Sequence, residues 1–353
     1  MWLIWMKDKM KQRRVIFIDY IRALAILMVI MCHVIDVNCM FWLGYQDMSG
    51  ARQIILYTLL IFGRCGVPLF LMITGYLLLD RDYSDGKWKS FYLHKWLYLL
   101  LVTEIWFAIY EVFAVCVQGK PFVWKDFVLR LLFIEEPVLS HAWYLPVILG
   151  LYLLLPVFAL VWKELSNRGC LITVLLLWVL VLLLQNFAQE SMAQHITYAV
   201  YMLIGGAYKR WHTALVEHKK DAYTIYSLAG IFALAGCEGY LWLQHRRGEN
   251  VSLWYDHAGI VLLSLALFGF AMFLVQKNCS FVERLSQDSF GIYLIHNMIA
   301  LMMMPWFSQW NSNLYLKMIL TYLLVWGIAW GLVRLIGKIP YVGDWILYKR
   351  RLK

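Results

Sequence analysis

Arg22 and His33 stand eleven residues apart in FIDYIRALAILMVIMCHVID (residues 17–36), a stretch otherwise apolar enough to lie in lipid. At about 100° per residue, eleven positions return to within roughly 20° of one helix face, about 16 Å further along the axis. Asp19 precedes Arg22 by three residues and Asp36 follows His33 by three, so each basic group has a carboxylate one turn away. An ionisable side chain in mid-bilayer costs at least ~2.5–3.5 kcal/mol and normally faces a cavity or a partner. An arginine so placed can clamp a phosphate of a cofactor. A histidine can take a proton from an attacking hydroxyl, steadied here by Asp36 or by a glutamate from another helix. The separation is comparable to the reach of a flexible carrier arm such as phosphopantetheine. An Asp–Arg cap at the membrane edge, with a histidine packed against a neighbouring helix, explains the same spacing; the residues alone leave both open.

Further polar groups interrupt other apolar runs. Arg64 precedes Pro68 in FGRCGVPLF, where a proline-induced kink can border a cavity. Its anion is either Glu104 or the charge of a cofactor. Glu104 and Glu111 lie seven residues apart and share a helix face, so either can neutralise Arg64 or orient His33. His296 lies about three turns into a late apolar run, placed either for packing against a buried serine or amide or for a role in the site. Trp143 and Tyr144 open the fourth run, where aromatic residues commonly anchor a membrane interface. Glu238, Asp256 and His257 fall near the ends of their runs. The chain has no glycine-rich phosphate loop, HExxH pair, CxxC pair or GxSxG elbow, so no metal is expected.

The elements that must position these groups are membrane helices. Of 353 residues, 62% are hydrophobic and 15% charged, against roughly a quarter charged in soluble domains. Ten runs of bilayer-crossing character are expected at about 15–37, 52–79, 91–117, 143–162, 170–186, 196–208, 223–243, 254–275, 286–304 and 315–337. Their apolar character is continuous rather than alternating, which excludes an outer-membrane barrel. The fold class is therefore all-α and polytopic, with 1–353 as a single domain. Gly205 and Gly206 can let the short sixth run break or pack tightly. The segment 118–142 is expected to lie in the interface or fold back into the bundle. The cysteines read as small apolar packing residues, and the first run lacks the cleavage site of a signal peptide.

The +10 net charge follows the same layout rather than marking a nucleic-acid binder. With a cytoplasmic N-terminus, the inside segments hold 22 Lys and Arg residues and the outside loops 6. Both termini are accordingly expected in the cytoplasm, with the chain in the plasma (inner) membrane and a basic collar against lipid headgroups.

FIDYIRALAILMVIMCH, with its Arg-x10-His spacing, resembles the opening of the acyltransferase 3 family of integral membrane acyltransferases. GVPLFLMITGYLL (66–78), HAWYLPVILGLYLLLPVF (141–158) and SFGIYLIH (289–296) resemble further blocks of that family, in order along essentially the whole chain. The resemblance implies transfer of an acyl group, usually acetyl from acetyl-CoA, to a sugar hydroxyl of an envelope polysaccharide or lipid-linked glycan. It makes Arg22 and His33 the essential pair and His141 an acceptor-side hydrogen-bonding group; Trp143 and His296 are further candidates for contacting the substrate. Family members often carry K-R-x-x-R at the start of the third span, associated with CoA. Here the region reads KWKSFYLHKWLYLL: His94 and Lys95 stand for the first two positions and Tyr98 for the last, with Lys87 and Lys89 nearby. The competing class is a multi-pass transporter or flippase for a glycan precursor or small anion, for which intramembrane charges are equally natural. Matched inverted repeats and broken helices, which that class favours, are not evident.

Overall fold

A computed structural model of the chain describes residues 15–35, 50–186, 190–249, 251–275, 277–310 and 313–348. Among these, none is in a strand and 84% are helical, the backbone form that pairs its polar groups within one segment, as lipid demands. In chain order the helices are α1 (Ile16–Ile35), α2 (Ala51–Arg64), α3 (Gly66–Leu78), α4 (Lys87–Phe91), α5 (Leu97–Cys116), α6 (Trp124–Leu131), α7 (Tyr144–Glu164), α8 (Asn167–Asn186), α9 (Glu190–Glu217), α10 (Lys219–Arg246), α11 (Ala258–Leu274), α12 (Ser280–Gln309), α13 (Leu314–Ile336) and α14 (Val342–Leu347). A π-helical turn, Tyr92–Trp96, joins α4 to α5, and a 3-10 turn, Ser140–Trp143, leads into α7.

Eight of the described segments are long and apolar enough to cross a membrane. They match eight of the ten expected runs. The other two differ for identifiable reasons. The run 254–275 is the shorter helix α11, and 196–208 is the middle of the 28-residue α9, where Gln194, His195, Thr197, Gly205 and Gly206 dilute the apolar character. The 118–142 segment contains the amphipathic α6, tied to α5 by Arg130 Nη1 on Glu111 Oε2 at 3.0 Å.

α1 is the central post. Two-thirds of its apolar window is buried, and it packs against α2, α3, α11, α12 and α13. The second span is broken beside it. Pro68 has no N–H and its ring excludes the carbonyl four residues back, so the helix ends at Arg64 and restarts at Gly66. Gly66 sits so close to α1 that a Cβ there would lie 2.7 Å from the Ala25 carbonyl oxygen. The break thereby presses Arg64 toward the His33 end of α1. At the other close crossing, Gly75 of α3 lies against the Met202 backbone of α9 and Gly205 of α9 against the Met72 backbone of α3, leaving no room for a Cβ on either. α9 stays helical there, so Gly205 serves tight packing and not a break. Between α3 and α4 the turn is held by Asp82, which accepts from Lys87 and from Ser84 N at 3.0 Å. Those donors hold its carboxyl well below the usual carboxylate range.

Candidate functional site

The two stations on α1 face two different cavities. Arg22 lines a cavity of about 350 Å³, in the size range of ligand sites, together with Arg81 and Lys95. Arg22 is fixed from α12: its Nη1 donates to Ser286 Oγ at 3.2 Å, and Ser286 Oγ donates to Asp19 Oδ1 at 2.7 Å. Asp19 is also 3.9 Å from Arg22 Nη1, so the one-turn carboxylate read from the sequence is present and bridged by a serine. Arg81 reaches the cavity from the end of the second span, its Nε donating to the Leu77 carbonyl at 3.1 Å. Lys95 comes from the π-helical turn, whose extra residue per turn re-aims the side chains that follow. Tyr152 of α7 and Tyr348, just past α14, supply aromatic wall, and Tyr348 stacks on Tyr98 with ring centroids 4.8 Å apart. The pocket thus joins three cations to aromatic faces, a composition suited to a phosphorylated ligand with a planar ring.

His33 belongs to a cluster of three imidazoles. Its ring centroid lies 5.2 Å from that of His296 and 6.1 Å from that of His141, and these two are 5.4 Å apart. The three come from α1, α12 and the 3-10 turn before α7. α1 and α12 run in the same direction, since Asp19 meets Ser286 at one end and His33 meets His296 at the other. His141 and His296 are fully enclosed. Tyr293 donates to the His141 carbonyl at 2.8 Å, and Asn297 Nδ2 lies 3.1 Å from His141 Nδ1. Among the described residues Arg64 is the charged neighbour of His33, with its guanidinium carbon 5.1 Å from the Trp254 ring centroid and 5.8 Å from that of Tyr255. Trp143 stacks on Tyr198, centroids 5.3 Å apart, and closes the chamber beside Tyr255. The His33 chamber has a volume of only about 10 Å³, the room of a single water. No group of histidine, cysteine or acidic side chains among the described residues has the arrangement of a metal site.

The two cavities share Val29, Val67, Tyr144 and Tyr293 as wall. An open tunnel from Arg22 to His33, which the α1 stripe suggests, is therefore constricted at that level. The stripe faces one interior, divided by two valines and two tyrosines.

The structure brings together Arg22 and Lys95 around the larger cavity, and His33, His141 and Trp143 around the smaller, with Arg64 and His296 packed beside its lining. It does not bring Glu104 to either. Glu104 is half-buried on the face of α5 that carries Glu111, and it takes no hydrogen bond or ion pair among the described residues. Glu111 belongs to Arg130, so neither glutamate orients His33 or pairs with Arg64. His94 is exposed and turned back on its own helix, with Nδ1 3.0 Å from the Ser90 carbonyl. Asp36 lies outside the described residues. Sequence reading passed over Arg81, counted only as a topology charge, and over Ser286, Tyr152, Tyr348 and Asn297. The signal for Ser286, Ser289, Tyr293 and Asn297 was available: their spacings of three and four residues put them on one face of α12, toward α1.

Comparison with known proteins places this geometry in a family. No curated protein and no solved structure among those compared matches the chain. The acyltransferase 3 family model, described as an acyltransferase domain, matches residues 15–344. That span includes α1, both stations on it and every wall of both cavities except Leu347 and Tyr348. With nearly its whole length matched and its helices built to cross a bilayer, the chain belongs to the acyltransferase 3 family of membrane acyltransferases.

Proposed function

We propose that the chain moves an acyl group, acetyl being the first candidate, from acyl-CoA to a sugar hydroxyl of a cell-envelope polysaccharide or lipid-linked glycan. The observation that carries this reading is the division of labour along α1. Arg22 meets a cavity with two further cations and aromatic walls, and His33 meets a tight imidazole and aromatic chamber beyond the same four wall residues. A thioester carrier has the matching layout, with anionic phosphates and a planar base at one end and the reactive carbon at the tip of a long arm.

In this reading both termini are cytoplasmic and the membrane is the plasma (inner) membrane, so the basic cavity opens to the cytosolic pool of acyl-CoA. Arg22, Arg81 and Lys95 hold the phosphates. The arm passes the constriction formed by Val29, Val67, Tyr144 and Tyr293. His33 takes the proton of the sugar hydroxyl as its oxygen attacks the thioester carbonyl. The new C–O bond forms, the C–S bond breaks, and the leaving thiolate recovers the proton from the His33 imidazolium. The transfer is direct. Trp143 and Tyr255, which close the chamber to the volume of one water, must separate for a sugar to enter.

The test is thioester cleavage by the purified chain in nanodiscs, followed as CoA thiol release with and without envelope glycan. The reading expects release that depends on glycan and a matching acyl mass on the glycan. Glycan or anion movement across the bilayer without thioester cleavage would establish transport instead.

A further inference from the structure

We infer that His296 is the positioning residue of the transfer reaction: its Nε2 accepts a hydrogen bond from the His33 ring and so fixes which His33 nitrogen faces the hydroxyl. This rests on the acyl-transfer reading above and adds a residue role to it. The first observation concerns the His296 tautomer. Its Nδ1 lies 2.6 Å from the Tyr293 carbonyl oxygen and 3.2 Å from that of Ile292. Carbonyl oxygens only accept, so Nδ1 carries the proton and Nε2 of the neutral ring is a bare acceptor. That Nε2 is buried and takes no hydrogen bond from the described residues. A buried acceptor left without a donor is costly, and the arrangement calls for one.

His33 is the ring best placed to supply it. The centroid separation of 5.2 Å is the shortest in the cluster and allows facing ring nitrogens to approach to about 3 Å after a small rotation. His141 is fixed the opposite way. The Asn297 amide nitrogen 3.1 Å from His141 Nδ1 donates to it, which puts the His141 proton on its own buried Nε2. Of the two neighbouring rings, His296 is therefore the one that offers His33 an acceptor. With its own N–H given to His296, its second nitrogen is the free lone pair, available to take the hydroxyl proton.

A neutral imidazole also suits the surroundings better than a glutamate from α5 would. The charged neighbour of His33 among the described residues is the Arg64 cation, and Glu111 is taken by Arg130. An imidazole acceptor orients the base without adding a second charge whose burial must be offset. In catalytic triads the orienting group behind a histidine holds its tautomer, and here a second histidine takes that place.

The test compares His296→Gln, His296→Asn and His296→Leu in the full chain in nanodiscs, with acetyl-CoA as donor. The Gln carboxamide oxygen reaches as far as imidazole Nε2, whereas Asn reaches only to Nδ1 and Leu offers no acceptor. For Asn and Leu, kcat should fall about 100-fold or more, with KM for acetyl-CoA within about twofold of wild type. For Gln, kcat should stay within about tenfold of wild type. If the Leu variant does not fold, the Gln–Asn contrast decides alone. Equal losses for Gln and Asn, a Leu variant with near-wild-type kcat, or a change confined to KM would overturn the inference. Wild-type protein that cleaves no thioester would overturn the acyl-transfer reading itself, which separates the two failures.

Discussion

The Asp19–Ser286–Arg22 bridge shows how a charged side chain is kept inside a membrane bundle. The arginine is held by a neutral hydroxyl that is itself anchored to a carboxylate, so its guanidinium can serve a ligand while staying oriented. Arg22→Ala removes a charge-assisted contact worth about 1.5–3 kcal/mol, so acyl-CoA affinity should drop between about 10- and 150-fold, read by titration calorimetry. Unchanged affinity would take Arg22 out of the donor site. Tyr293→Phe deletes the hydrogen bond to the His141 carbonyl, a loss of about 1 kcal/mol of stability visible as a lower unfolding temperature. The Arg22–His33 relation was legible from the chain because helical arithmetic within one element needs no tertiary contact. The position of Glu104 was not legible, because it depends on how α5 is rotated. That rotation turns the Glu104–Glu111 face toward α6 and Arg130, and away from Arg64.

Helix breaks and close crossings do the positioning at the level of elements. Pro68 ends α2 at Arg64, and Gly66 lets α3 touch the α1 backbone, which together set Arg64 beside His33. Gly66→Val places methyl groups where the Ala25 carbonyl already stands. Overpacking of this kind costs about 1–3 kcal/mol, and pushing α1 away should also lower kcat well below wild type. A stability loss with kcat intact would mean that this contact carries packing alone. The break itself could be read from the sequence, because proline acts on its own helix. The meeting of His33, His141 and His296 could not, since it needs α12 parallel to α1 and the 3-10 turn folded in between them. The Lys95 placement was equally hidden: the π-helical turn shifts its register from the α-helical one by which His94 and Lys95 were judged alike. Tyr348 was missed because the chain after α13 folds back, where α14 brings Leu347 and Tyr348 under the cavity.

Across the whole molecule, two cavities of unequal size share one wall. The larger, about 350 Å³, is open enough to receive part of a carrier, while the smaller, about 10 Å³, excludes even a sugar until it opens. A bulky residue in the shared wall should uncouple them. Val67→Trp is expected to keep acyl-CoA binding within about threefold and to reduce transfer at least about 100-fold, measured by calorimetry and thiol release on one preparation. Transfer at the wild-type rate would show that the arm takes another path. The all-α, membrane-crossing character was legible from composition. The count of ten spans was not matched helix by helix, because α11 is short and the apolar character of α9 is diluted by Gln194, His195, Thr197, Gly205 and Gly206. The most direct measurement separates the two ends of α1 in one experiment: kcat and acyl-CoA affinity of His33→Ala beside Arg22→Ala. The account predicts that His33→Ala binds acyl-CoA as wild type does while losing at least about 100-fold in kcat, and that Arg22→Ala loses chiefly affinity. A His33→Ala protein that still transfers acyl groups at the wild-type rate would contradict it.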